Sequence, residues 1–214
     1  MWTSSCNACQ IEARRKELLE KGFEVLSKKS IESVNMQEVA DAVGCGIASL
    51  YRYFDKKQGF VVAVATWKWE QFQEEYRNSL AERDLCNMTA AGIFELYLDS
   101  FLELYRKHSD LLRFNQFFNV YVNAEHIDMQ TLLPYQNMIL NLRDRFHRIY
   151  QKAEQDKSLR TDVSEEEMFS STLHLMLAAV TRYAVGLVYT PASGFNTEKE
   201  LAVQKEMLLK HFLT

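Results

Sequence analysis

Proline occurs only twice in this chain, at Pro134 and Pro191, and glycine only seven times in 214 residues. These are the residues that stop helices, proline by removing an amide and glycine by freeing the backbone. With so few of them, among abundant Leu, Glu, Lys, Ala and Gln, long helical runs are the default. The expected fold is therefore all-α, with about nine helices. Hydrophobic residues make up 47% of the chain, enough for one sizeable core plus a small module.

The place where breakers do cluster is informative. Gly44-Cys45-Gly46 puts two glycines in three residues and permits a sharp reversal. Before it, Asn35-Met36-Gln37-Glu38 has the pattern of a capping box, and Met36, Val39, Ala40 and Val43 form one apolar side of a short helix. After it, a second short helix is expected over about Ile47 to Phe54, with Leu50 and Phe54 pointing inward. A first helix is expected over about residues 10–29, with Ile11, Leu18, Leu19, Gly22, Phe23 and Leu26 on one side, followed by a loop from Lys28 to Ser33. Asp55-Lys56-Lys57-Gln58 should cap a long fourth helix to about Ala81, its apolar face carrying Phe60, Val64, Trp67 and Phe72.

Helix follows helix in the remainder. The spacing predicts them over about Thr89–Arg106, Asp110–Ala124 and Asp128–Gln155, with Pro134 either kinking the last or marking its start. Ser164 should cap another helix through about Tyr189, and Thr190-Pro191-Ala192-Ser193-Gly194 reads as a loop. Thr197-x-x-Glu200 should cap the final helix, which carries Leu201, Val203, Met207, Leu208 and Phe212. The division expected is a head over residues 1–60 and a body over 61–214.

Charge is divided unevenly between these parts. Residues 1–60 hold nine Lys/Arg and eight Asp/Glu, a net of +1; the other 154 hold 16 and 21, a net of −5, which together give the overall −4. A surface that meets phosphate must lie in the head. No secretory leader is expected, because no charged stretch precedes an apolar one at the N-terminus. The most apolar run, Met168 to Tyr189, contains Ser170, Ser171, His174 and Arg182 and reads as a buried helix, so no membrane contact is expected. The four cysteines suit a reducing cytoplasm. Cys6-x-x-Cys9 lacks a second pair or nearby histidines, so no metal is expected, and Cys45 reads as small core filler.

Catalysis has little support. None of the five histidines falls in Glu-x-x-His or His-x-x-x-His, and no Gly-x-Ser-x-Gly or glycine-rich phosphate loop occurs. No catalytic residue and no cofactor is expected.

Two short helices joined by a glycine turn form a helix-turn-helix, whose second member fits a DNA major groove. Ile47, Ala48, Ser49, Tyr51, Arg52 and Tyr53 are the outward candidates of that second helix. Lys57 stands in the first turn of the next helix, where a cation opposes the helix dipole unless an anion such as phosphate is near. Residues of about 11–60 resemble the DNA-binding domain of the TetR (tetracycline repressor) family. The likeness runs through Phe23, Val39-Ala40, Val43-Gly44 and Leu50-Tyr51-Arg52-Tyr53-Phe54 to Lys57. It implies phosphate contacts by Asn35, Tyr51, Tyr53 and Lys57, and base reading by Gln37, Ile47, Ala48, Ser49 and Arg52. It also implies a homodimer through the last two helices, about 164–189 and 197–213, and a small-molecule pocket in the body. Family members often carry a polar or basic run before the Leu-Tyr pair; here it is Gly46-Ile47-Ala48-Ser49, which leaves the recognition helix without an N-cap side chain.

Aromatic residues are 12% of the chain and are concentrated in the body. Trp67, Tyr97, Phe101, Phe114, Phe117, Phe118, Tyr121 and His147 are the pocket candidates, for a hydrophobic or aromatic effector. The function expected is a ligand-released repressor on a palindromic double-stranded operator. The alternatives are a co-ligand-dependent activator, or a helical interaction protein with a weak head.

Overall fold

The computed structural model describes residues 3–186 and 196–214, with side chains from residue 9 onward. Among the described residues there are nine α-helices and no strands. They are α1 (Thr3–Leu26), α2 (Met36–Val43), α3 (Ile47–Phe54), α4 (Lys57–Ser79), α5 (Ala90–Lys107), α6 (Ser109–Ala124), α7 (Met129–Asp156), α8 (Glu165–Val185) and α9 (Thr197–Phe212). The all-α reading holds. Among the described residues no helix is long and apolar enough to cross a membrane. The expected loop at Thr190–Gly194 and the side chain of Cys6 lie outside the described residues.

Several boundaries differ from expectation. α1 begins at Thr3 rather than near residue 10, and it ends at Leu26, the last of its fully buried residues, rather than at Lys29. Ile11 is 52% exposed and belongs to no core. The expected loop from Lys28 holds a 3-10 turn at Ile31–Ser33, with Ile31 completely buried. Asp55 does not open α4: its backbone closes α3 at φ 59°, and α4 starts at Lys57 and ends at Ser79, short of Ala81. The cap of α9 is Asn196, whose side chain accepts from the Lys199 amide at 3.0 Å, rather than Thr197. α7 runs through Pro134 as one helix starting at Met129.

The chain forms two compact units, and the division falls inside α4, α6 and α7. The first consists of the residues up to Gln71 together with Phe114–Met138; the second is Phe72–Arg113 with Ile139–Thr214.

In the first unit, Leu18, Leu19, Phe23 and Leu26 of α1 are buried with Val39, Ala40, Leu50, Phe54, Phe60 and Val64. α1 and α4 approach closely at Gly22, where a Cβ would lie 2.3 Å from Cζ of the fully buried Phe60 ring. Phe23 meets Phe114 edge to face at 5.4 Å, and Phe118 packs on Tyr135 at 4.8 Å. One polar cluster is sealed inside: Trp69 Nε1 donates to Asn115 Oδ1 at 3.2 Å, and the Tyr135 hydroxyl donates to the same oxygen at 3.4 Å. Burial raises the Tyr135 hydroxyl to about 12, so it is a donor at any ordinary pH.

In the second unit, Phe94 is surrounded edge to face by Phe146 at 6.2 Å and Phe212 at 5.8 Å, which joins α5, α7 and α9. The exposed amides at the start of α5 are answered from three side chains. Asp156 accepts from Ala90 at 2.7 Å, Ser158 from Ala91 at 2.9 Å and Thr89 from Gly92 at 3.2 Å. Lys205 of α9, largely buried, pairs with Glu95 at 2.9 Å and Asp99 at 2.6 Å of α5.

Candidate nucleic-acid interface and ligand cavity

The interface begins with the cap of α2. The Asn35 side chain accepts from the Gln37 amide at 3.0 Å, and Glu38 reaches back to the Asn35 amide at 3.1 Å. The reciprocal cap is present, with the Asn35 side chain accepting from the amide three residues on as well as from that of Gln37. Lys29 pairs with Glu38 at 2.7 Å. That bond, followed by the one from the Asn35 amide, holds the Glu38 carboxyl below its ordinary range. At the other end of α2, Gly44 adopts φ 68°, a left-handed conformation that glycine takes without strain. The Cys45 amide then bonds back to the Ala40 carbonyl at 2.9 Å, so the turn is closed.

α3 is built on two buried anchors, Leu50 at 0% and Phe54 at 7% exposure. Phe54 packs edge to face on Phe60 at 5.0 Å, and Arg15 lies over the same ring at 5.4 Å. With Leu50 and Phe54 fixed inward, the helical period turns Ala48, Tyr51 and Arg52 outward, and all three are exposed. Ile47, Ser49 and Tyr53 are half-buried. Arg52 lies 6.0 Å from the Tyr53 ring centre. Gly46 caps α3 with no side-chain bond, as the sequence indicates. Gln37 is exposed, but its amide is tethered to Asp41 at 2.7 Å.

Lys57 occupies a place that the sequence did not suggest. Its Nζ donates to the Val34 carbonyl at 2.7 Å and the Glu32 carbonyl at 3.3 Å, and it lies 5.7 Å from the Tyr121 ring centre. Burial lowers its pKa, against the pull of Glu125, Glu32 and Glu38. The cation at the start of α4 is thus answered by backbone carbonyls of the segment before α2, and it braces the head. An ammonium has three donors, so one remains for an outside acceptor.

The second unit contains a cavity of about 230 Å³. Its lining comes from the last turns of α4 with the segment after it, from α5 and from α7, and is mostly apolar: Phe72, Leu80, Leu85, Ile93, Leu96, Leu142 and Ile149. Gln73, Tyr76, Arg77, Tyr97, Ser100 and Arg145 supply the polar groups. The Tyr76 hydroxyl donates to the Leu96 carbonyl at 2.5 Å.

The expected pocket residues separate on this geometry. Tyr97 lines the cavity, and Phe101 backs it edge to face at 5.4 Å. Phe114, Phe118 and Tyr121 are instead core of the first unit, because the inward side of α6 there faces Phe23 and Tyr135. Trp67 and Phe117 are half-buried in that same unit and do not line the cavity. His147 is exposed, with Nδ1 2.7 Å from Glu165. Sequence reading missed Tyr76, Arg77 and Arg145. The available signal for Arg145 was a basic residue beside Phe146 within the inward series Met138, Leu142, Phe146, Ile149, Ala153 of α7.

A helix-turn-helix with a sealed back and an exposed recognition face, in an all-helical chain, defines the class of helix-turn-helix regulators. Residues 18–64 match the family model of bacterial regulatory proteins of the tetR family. Over those residues the chain is similar to the DNA-binding domain of the TetR family. No curated protein sequence matches it. Solved structures share its fold. The transcriptional regulator FadR of Bacillus subtilis, in complex with stearoyl-CoA, is 14% identical with a TM-score of 0.69, over 91% of this chain and 97% of that one. The ketosteroid transcriptional regulator of Mycobacterium tuberculosis is 14% identical, TM-score 0.64, over 94% and 95%. AibR, in complex with isovaleryl coenzyme A and operator DNA, is 18% identical, TM-score 0.64, over 92% and 98%.

Proposed function

We propose that this regulator is a homodimeric repressor that grips a palindromic operator and lets go when a small effector fills the cavity of the second unit. The observation that carries this reading is the division of labour on α3: Leu50 and Phe54 hold the helix, while Ala48, Tyr51 and Arg52 stand free at its surface. Arg52 and Ser49 are the polar base readers, Ala48 and Ile47 suit thymine methyls, and Gln37 assists from α2. Tyr51, Tyr53 and Asn35 are assigned to phosphates, with the spare donor of Lys57. The DNA-binding role is assigned to a head over residues 1–60, and sensing and pairing to a body over 61–214.

Pairing is assigned to α8 and α9. Leu175 is 60% exposed on α8, and Met207 and Val203 are 65% and 47% exposed on α9. Leu175 and Met207 border a groove of about 600 Å³ that also includes Met176, Ala179 and Leu208. Exposed apolar side chains in register on two neighbouring helices are what an isologous two-fold contact covers. In the dimer, two copies of α3 would stand about 34–36 Å apart, one turn of duplex.

Ligand response follows from one helix. The first turn of α4 holds the head through Lys57, and its last turns line the cavity through Phe72, Tyr76 and Arg77. An effector that fits one position of α4 better than another shifts the equilibrium between them. Proteins of this fold crystallised with stearoyl-CoA or isovaleryl coenzyme A support an effector with an apolar part. No catalytic residue or cofactor is assigned, and such a protein works where the DNA is, in the cytoplasm.

The test is selection of bound sequences from a random duplex pool by the purified protein, with its mass measured in solution. A palindromic site bound by a dimer is expected, with affinity falling steeply as salt rises. Arg52→Ala should relax the preference at one position of each half-site. A monomer, or no binding in dilute buffer, would overturn the reading.

A further inference from the structure

The chemistry of the cavity is unusual in one respect. Among its apolar walls stands the guanidinium of Arg145, half-buried on α7. Among the described residues no hydrogen bond or ion pair reaches it, although a guanidinium carries five donors. Its electrostatic neighbours are mainly of its own sign. Burial lowers its pKa, Arg77 and Arg148 lower it further, and Glu74 alone opposes them. Glu74 is itself occupied, in an ion pair with Arg77. Two other basic residues of α7 have found partners: Arg143 pairs with Glu166 at 2.5 Å and Lys152 donates to the Cys86 carbonyl at 2.9 Å. A cation drawn out of water and left unpaired costs stability, and folded chains rarely keep one without a use for it.

We propose that the cavity binds an amphipathic anion, its apolar tail against Phe72, Leu80, Leu142 and Ile149 and its carboxylate or phosphate head on Arg145, with Arg77 at the rim. The inference rests on the sensor reading above and names the class of effector. A planar guanidinium forks onto two oxygens of a carboxylate or phosphate, and does so more strongly where water is scarce. The Tyr97 hydroxyl, kept well above its ordinary range by burial, remains a protonated donor inside the cavity and never competes as an anion. A volume of about 230 Å³ lies below the common range for small-molecule pockets of about 300–1,000 Å³. The tail is therefore short.

The experiment is calorimetric titration of the full chain with four compounds that share one tail and differ in the head: octanoate, octyl phosphate, octanol and octylamine. Octanoate or octyl phosphate should bind at least about tenfold more tightly than octanol and octylamine, a gap of about 1.4 kcal/mol. Whichever anion leads identifies the source of the head, a free acid or a phosphate ester. Arg145→Met should remove that gap while leaving octanol binding in place, and Arg145→Lys should keep part of it. The Arg145→Met protein should melt no lower than the parent without ligand, since the change removes an unpaired charge, so loss of anion binding is not loss of fold. Octanol binding as tightly as octanoate, or Arg145→Met keeping the full preference, overturns the proposal but leaves a neutral-ligand sensor standing if octanol still releases DNA. If none of the four binds while DNA binding is intact, the sensor reading falls with it.

Discussion

Lys57 and Arg145 are both partly buried cations, and in both burial is the largest force lowering the pKa. Their surroundings are opposite. Lys57, in the first unit, is met by the carbonyls of Val34 and Glu32 and by the field of three carboxylates. Arg145, in the second, is met by Arg77 and Arg148, with only Glu74 opposing them. The difference shows that the first unit answers its polar groups internally, as its Trp69–Asn115–Tyr135 cluster also does, whereas the second leaves a charge unanswered at the wall of a cavity. Partial burial of a cation therefore has no single meaning. What it meets decides whether it braces a fold or waits for a partner.

This contrast can be broken by mutation. The largest effect is expected from Leu50→Ala. Leu50 is wholly buried, and truncating such a leucine costs about 2–5 kcal/mol. Operator binding, followed by fluorescence anisotropy, should collapse while the cavity of the second unit still takes up ligand. Loss of both together would mean that the units do not hold their structures separately.

A smaller effect is expected from Lys57→Met. It removes two donated bonds from a half-exposed site, for about 1 kcal/mol in thermal or urea unfolding. All duplex sequences should be bound more weakly by the same factor. Unchanged stability would make Lys57 a solvated surface cation and remove the brace from the comparison.

The smallest concerns acid. Burial pushes the Asp156 carboxyl up, but bonds from the Ala90 amide and from the Ser158 amide and hydroxyl outweigh it and hold the group below its usual value. A folded pKa below the unfolded one means stability present above the ordinary carboxylate range and lost as pH falls through the depressed value. Asp156→Ala should cost about 1 kcal/mol near neutrality, the worth of a helix cap. The gap between the two proteins should close in acid, as read from urea midpoints across a pH series. A gap that persists there would show that the cap acts without its charge.

The fold was legible because its stops and starts are local. Asn35, Thr89 and Ser164 cap helices by reaching two or three residues along the chain, and Gly44 turns the backbone by its own φ. The start of α1 carries no such mark, and its early turns stayed hidden. At α9 two neighbouring residues, Asn196 and Thr197, are both good caps, and only the backbone of Asn196 is extended enough to serve. The recognition face was legible for the same local reason, since Leu50 and Phe54 fix which side of an eight-residue helix faces out. The cavity was not, because Phe72, Tyr97 and Arg145 come from three helices whose meeting no short pattern encodes. The aromatic stripe of α6 misled for a physical reason: large rings fill a core as readily as they line a cavity.

The separation on α3 has an evolutionary side. Ala48, Tyr51 and Arg52 contribute little to keeping the helix in place, and Leu50 and Phe54 touch nothing outside. Vocabulary and grammar are kept on different letters of the same eight-residue word. If α3 reads bases as proposed, descendants of this gene would acquire a new genomic address by altering the outward letters alone, with the scaffold that presents them inherited intact.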